Sequence, residues 1–178
     1  MKFGLDFRLR IGEDTVDLAS VLANPTSAQD ALADPAKLEG LLVCSVDGKE
    51  HGDELVEPIV RLADQWVRKL PWIIAGDSET LAYRNSEHCF AFVPEGESVE
   101  LSFFVGTESE VEEYEIEPTN VRLDLFVGES IKLVERLVKL IQAVDSGLLE
   151  RSEDCRDLAA SLDEGRRAWR EYQLKQRR

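Results

Sequence analysis

An α+β architecture is expected from three features of the chain. Residues Phe3 to Ile11 alternate apolar and polar side chains with a period of two, and Thr80 to Val127 breaks into short β-rich runs divided by Gly, Pro and Asn. Two further segments, 53–70 and 129–146, carry apolar residues at helical spacing. Together these give an antiparallel sheet of about six or seven strands packed by two long helices, with a C-terminal helix at 150–176. At 178 residues the chain reads as one domain, in which 1–148 is the α+β core and 150–176 docks on it or on a partner.

The first strand is the clearest element. Phe3, Leu5, Phe7, Leu9 and Ile11 fall on one side of an extended chain and Lys2, Gly4, Asp6, Arg8 and Arg10 on the other, as in a half-buried strand. Between residues 13 and 40, Asn24-Pro25 and Asp34-Pro35 interrupt any period. Loop with helical turns is expected there, with at most a short helix around Ala28 to Ala33 capped by Ser27 or Asp30. Leu41 to Val46 is an apolar run closed by the turn dipeptide Asp47-Gly48 and reads as a second strand.

Asp53 then caps a helix to about Leu70, with Leu55, Ile59, Leu62 and Trp66 on a stripe flanked by Val56, Val60, Ala63 and Val67. Pro58 costs about 3 kcal/mol in a helix interior but is tolerated in the first turn, so it marks a later start. Pro71 stops the helix, and the apolar run that follows places Trp72 in the core. The strands of the meander are Leu81 to Tyr83, His88 to Val93, Val99 to Val105, Glu113 to Glu117 and Val121 to Leu125. Pro94-Glu95-Gly96 makes a hairpin turn, and Gly106 and Pro118-Thr119-Asn120 make the other breaks.

Ile131, Val134, Leu137, Val138, Ile141 and Val144 repeat at helical spacing to a stop at Gly147. In the tail, Cys155, Leu158, Leu162, Gly165, Trp169 and Tyr172 are spaced 3, 4, 3, 4 and 3, a heptad seam. Only three heptads exist and Gly165 weakens the middle, so docking on the parent domain is favoured over a partner.

Composition narrows the function. The net charge is −15, which makes nucleic acid and anionic membrane surfaces poor direct partners and attracts a basic protein over long range. No run approaches the ~20 apolar residues of a membrane span, and the N-terminus lacks the apolar stretch of a signal peptide. Cys44, Cys89 and Cys155 are odd in number and widely spaced, as reduced core thiols are, so a cytoplasmic protein is expected.

The charge is unevenly placed. From Asn85 to Val121 there is no Lys or Arg, and ten glutamates supply ten of the fifteen excess negative charges. Glu87 is the first, followed by Glu95, Glu97, Glu100, Glu108, Glu110, Glu112, Glu113, Glu115 and Glu117. Alternate residues on a strand lie ~6.7 Å apart, where two exposed carboxylates repel by only about 0.6 kcal/mol, so folding tolerates the run. A solvated face that keeps the chain in solution accounts for the acids. A docking surface for a basic protein accounts for them as well, with Trp169 and Tyr172 as aromatic contacts, whereas mimicry of nucleic acid would need two adjacent acidic strands.

The last thirteen residues have the opposite character, Arg166, Arg167, Arg170, Lys175, Arg177 and Arg178 against Glu171. They complement the helix dipole, and their charge also allows contact with the acidic window of the same or another copy.

No nucleophile elbow, phosphate-binding loop, Cys-x-x-Cys, His-Glu-x-x-His or dinucleotide fingerprint occurs. His51 lies in a polar turn. His88 and Cys89 are adjacent on a predicted strand and point to opposite faces, which argues against joint ligation of a metal. No catalytic residue, metal site or cofactor is expected.

The order of elements resembles that of small acidic bacterial proteins of the immunity type. The likeness runs from the N-terminal strand through the helix ending Arg68-Lys69-Leu70-Pro71-Trp72 and the glutamate-rich meander, then through Asn120-Val121-Arg122-Leu123-Asp124-Leu125-Phe126 into a long helix and a charged tail. The resemblance implies a non-enzymatic inhibitor that binds and blocks a cognate toxin, such as a nuclease. The alternative is a structural or regulatory subunit that forms a homodimer through the helix carrying Leu158, Leu162, Trp169 and Tyr172.

Overall fold

In the computed structural model, which describes residues 1–178, the alternating N-terminal segment forms strand β1 (Phe3–Ile11), with Phe3, Leu5, Phe7 and Leu9 buried. A turn at Gly12, whose φ is 65°, leads back along it as β2 (Asp14–Asp17). Asp17 then caps helix α1 (Leu18–Ala23), its carboxylate accepting from the Ser20 N–H at 2.7 Å. The segment expected as loop with helical turns does hold 3₁₀ turns, at Pro25–Ala28 and Pro35–Lys37, but it also holds a strand and a helix, and that helix is Leu18–Ala23 and not one around Ala28 to Ala33.

Strand β3 (Glu39–Val46) pairs antiparallel with β1 along its length. Gly40 is required there, because a Cβ at this position would press into the Arg8 carbonyl and the Ile59 side chain. Asp47 and Gly48, with φ of 50° and 86°, form the two-residue turn that twists with its strands and leads to β4 (Lys49–His51). A further strand, β5 (Val56–Pro58), pairs with the opposite end of β3 and completes a five-stranded antiparallel sheet ordered β2-β1-β3-β4, with β5 off β3.

Helix α2 (Ile59–Arg68) starts after Pro58 rather than at Asp53. Pro58 holds φ at −68° and lacks an N–H, so it serves the helix boundary while Val56 and Glu57 stay extended. Pro71 does not end the helical course either, since it sits in the first turn of α3 (Leu70–Ile74). Trp72 is 57% exposed, against the expectation of a core position. Leu70 and Ile73 take the buried side of this single turn, and Trp72 falls on the other.

Strands β6 (Glu79–Ala82), β7 (His88–Glu95), β8 (Ser98–Gly106) and β9 (Val111–Arg122) pair in sequence order as a second, four-stranded antiparallel sheet. The expected single sheet is thus two sheets. Helices α2 and α3 interrupt the strand order, and both long edges of β1 and β3 are already taken by each other and by β2, β4 and β5. Strand β9 runs through Pro118 without a break, because an edge strand can present a position lacking an N–H to solvent. Register shifts between Leu101 and Phe104 and at Val105/Gly106 bend it.

Helix α4 (Leu123–Val144) begins where β9 ends, so Leu123 to Leu125 are helical rather than extended. It touches β1, β8, β9, α1, α2 and the last helix, with Phe126, Val127, Val134, Leu137, Leu140 and Ile141 fully buried. Gly147 has φ of −73° and opens α5 (Leu148–Arg151) instead of closing α4 in the left-handed conformation. Ser152 caps the final helix, α6 (Glu153–Gln176), through its hydroxyl and the Cys155 N–H. Along α6, Cys155, Leu158, Leu162 and Gly165 are buried against α2, α3 and α4. Ser161 also donates a hydrogen bond to the Asp64 carboxylate on α2.

The core runs between the two sheets and the helices. Trp66 meets Phe90 and Phe92 edge-on at 5.0 and 5.1 Å, and its indole N–H donates to the Ser130 hydroxyl at 2.9 Å. Buried Glu57 links the sheets: its carboxylate accepts from the backbone N–H groups of Arg84 and Asn85, just ahead of β7. No helix is long and apolar enough to cross a membrane.

Candidate functional site

Phe90, Phe92, Val99, Leu101, Phe103 and Ile116 turn one face of the second sheet into the core. The alternate residues, Cys89, Ala91 and Val93 on β7, Ser102 and Phe104 on β8 and Tyr114 on β9, make the outer face. Their registers align Cys89 with Phe104 and Phe104 with Tyr114, whose rings meet edge-on at 5.9 Å. Of these, Val93 and Tyr114 are each 43% exposed and Ala91 is half-buried, whereas Cys89, Ser102 and Phe104 are buried. In a chain that is 32% charged, this face is uncharged at its centre, and Glu95, Glu100 and Glu112 lie toward its ends.

The predicted contact glutamates surround it in two groups. Glu95 and Glu97 sit at the β7–β8 turn with Glu100 nearby, and Glu108 and Glu110 sit in the β8–β9 turn with Glu112 and Glu113. Glu115 and Glu117 follow along the free edge of β9. All are exposed except Glu100, which is half-buried. Strand β8 separates the two groups by roughly 26 Å at ~3.3 Å per residue, about three screening lengths at physiological salt. The continuous run in sequence is therefore an acidic border with a group at each end of β8, joined along the β9 edge by Glu115 and Glu117.

None of these carboxylates is within ion-pair distance of a lysine or arginine. Several cations of the surface pair with other acids, as in Arg8–Glu50 at 2.8 Å, Lys69–Glu79 at 3.3 Å and Arg166–Glu135 at 2.9 Å. The basic tail makes no ion pair with the glutamate window. Glu115 alone of these glutamates lies within ion-pair distance of a histidine, with the Nε2 of His88 at 3.5 Å. The same charges discourage another strand of like sequence from adding to the β9 edge.

The Ser86 hydroxyl lies 3.1 Å from His88 Nδ1, so Ser86, His88 and Glu115 stand in a row that superficially matches a hydrolytic triad. The chemistry does not follow. Ser86 accepts the His88 backbone N–H at 3.3 Å, as a local turn of this spacing does. The groove beside it, about 310 Å³, is lined by Glu87, Glu110 and Glu112, which would repel a developing oxyanion. The nearby N–H groups of Gly106 and Thr107 are already bonded to Glu87 and Glu110 carbonyls.

The three thiols are buried and unpaired. Burial pushes Cys44 up to about 12, and burial also raises Cys89 and Cys155, so none is a thiolate at neutral pH. The Glu108 carboxylate adds to the effect on Cys89. His51, half-buried on β4, is lowered by burial and then by Lys49. No group of three or more His, Cys, Asp or Glu is arranged to hold a metal ion.

Trp169 and Tyr172 lie near the end of β9, away from the β8–β9 turn. Their rings stack at 5.3 Å and 11°, and they line a groove of about 490 Å³ with Glu97, Arg122, Leu123 and Asp124. Three predicted contact residues, Glu97, Trp169 and Tyr172, thus meet although they come from distant parts of the chain. No protein-family model matches this chain, and no curated protein or solved structure matches it.

Proposed function

We propose that the protein is a non-enzymatic binder of a basic partner protein, of the inhibitor or immunity type. The observation that supports this most is the uncharged outer face of the second sheet, bordered by glutamates that no lysine or arginine of the chain neutralises. Such an arrangement has the anatomy of a contact surface. The acids raise the rate of encounter, and the exposed Val93 and Tyr114 supply apolar area that holds the complex once formed. The occupant that complements this border is a protein with clustered lysine and arginine, as a nuclease toxin has.

Cross-linking in the native cell followed by mass spectrometry identifies the partner, and association kinetics of the purified pair test the reading. Joint Glu110→Lys, Glu113→Lys and Glu115→Lys substitution should slow association at low salt by about tenfold or more, with a smaller effect as salt rises. A partner of net negative charge, or rates unchanged by charge reversal, would remove the proposal. Self-association through α6 has less to work with. Leu158 and Leu162 are buried within the chain, which leaves Trp169, Tyr172 and the 59% exposed Leu174.

A further inference from the structure

The geometry points to a second, separate contact: the groove between the β7–β8 turn and the end of α6 accepts an arginine guanidinium through the Trp169–Tyr172 stack and the Glu97 carboxylate. Four observations carry it. The groove, at about 490 Å³, is within the size range of small-ligand sites and holds an arginine side chain with room for its flanking backbone. Its aromatic wall is two rings stacked on one another, and an outer ring face of such a stack is the kind of surface on which a planar guanidinium packs.

Its carboxylate is free, since Glu97 makes no hydrogen bond or ion pair through its side chain. Its backbone is held, because the Glu97 carbonyl accepts from the Leu123 N–H at 2.8 Å and ties the turn to the start of α4. Arg122, the one lysine or arginine that lines the groove, does not compete. Arg122 is engaged by Asp124, with Nε to Oδ1 at 3.0 Å and a second bond from Nη2, and this pairing holds the Asp124 carboxyl below its usual range. What remains open is one carboxylate beside aromatic carbon, a combination that selects a cation with a flat, weakly hydrated face.

The choice of a protein arginine as occupant rests on the basic-partner reading. The cation selectivity of the groove does not, and it can be tested without any partner. The probe is N-acetyl-arginine methylamide, titrated at low salt while the indole N–H signals are followed by NMR. Trp169→Phe assigns the Trp169 signal and distinguishes it from buried Trp66 and from exposed Trp72 on α3. The neutral isostere N-acetyl-citrulline methylamide and the free organic cation tetramethylammonium are the comparison arms.

The expected result is a saturable shift of the Trp169 indole with the arginine probe, weakened about tenfold or more for citrulline and by Glu97→Gln. Glu97 is an exposed turn residue, so Glu97→Gln keeps the fold. Equal binding of citrulline, an unchanged titration in Glu97→Gln, or a response at Trp72 alone would overturn the assignment. Tighter binding of tetramethylammonium than of arginine would overturn the guanidinium as its occupant. The triple lysine substitution on the β8–β9 end should leave this titration unchanged, so the failure of one contact is distinguishable from the failure of the other.

Discussion

A buried polar pair is where a single atom matters most in this chain. Trp66 is 2% exposed and Ser130 fully buried, and the 2.9 Å bond between them is the only partner of the indole N–H. Ser130→Ala strands that donor and should cost about 1–3 kcal/mol in urea unfolding, with the fold retained. A loss no larger than that of a surface serine would mean the indole finds another acceptor. His51 makes a pH prediction of definite sign. Its folded-state pKa lies below the ordinary 6.5, from burial first and Lys49 second, with Glu115 and Asp53 acting against them. The unfolded chain therefore binds the proton more readily, and this contribution to stability is complete above about pH 6.5 and declines as pH falls below it. In His51→Gln the difference in unfolding free energy between neutral and mildly acidic pH should be smaller than in the parent chain.

Elements were legible in proportion to how local their causes are. Strand β1 follows from its alternation alone, and the β3–β4 turn from Asp47-Gly48. The start of α2 was ambiguous because Leu55 and Val56 fit the helical stripe as well as they fit a strand, and only the pairing of β5 with β3 decides it. Pro118 reads locally as a break, yet on an edge strand it is harmless, and this depends on which strands are neighbours. The division into two sheets was hidden for the same reason. In α6 the heptad seam was visible, and the structure adds its destination on α2, α3 and α4. Leu158→Ala, at a fully buried site, should therefore lower global stability by about 2–5 kcal/mol. Light scattering on the folded protein should show no change of oligomeric state, since the lost contact lies within one chain.

At the scale of the whole molecule, charge is a cost as well as a tool. The glutamates from Glu87 to Glu117 pair with no lysine or arginine, so their mutual repulsion opposes the folded state and is relieved by screening. Melting temperature should rise from low to moderate sodium chloride, and rise less in a chain with Glu112→Gln and Glu113→Gln. A melting temperature independent of salt would show that the repulsion is negligible. That an acidic surface would exist was plain from composition, since the acids are unaccompanied in sequence. Its reach from one end of β8 to the other was not, because the largely apolar run Val99 to Val105, which includes Glu100, sets that distance only once it is extended. The meeting of Glu97 with Trp169 and Tyr172 depends wholly on where α6 lies. There is also no slack between Arg122, the last residue of β9, and Leu123, the first of α4. Tension or restraint at the acidic margin passes straight into the helix that both sheets lean on, so an occupant should register far from where it lands, as slower amide exchange along the middle of that helix.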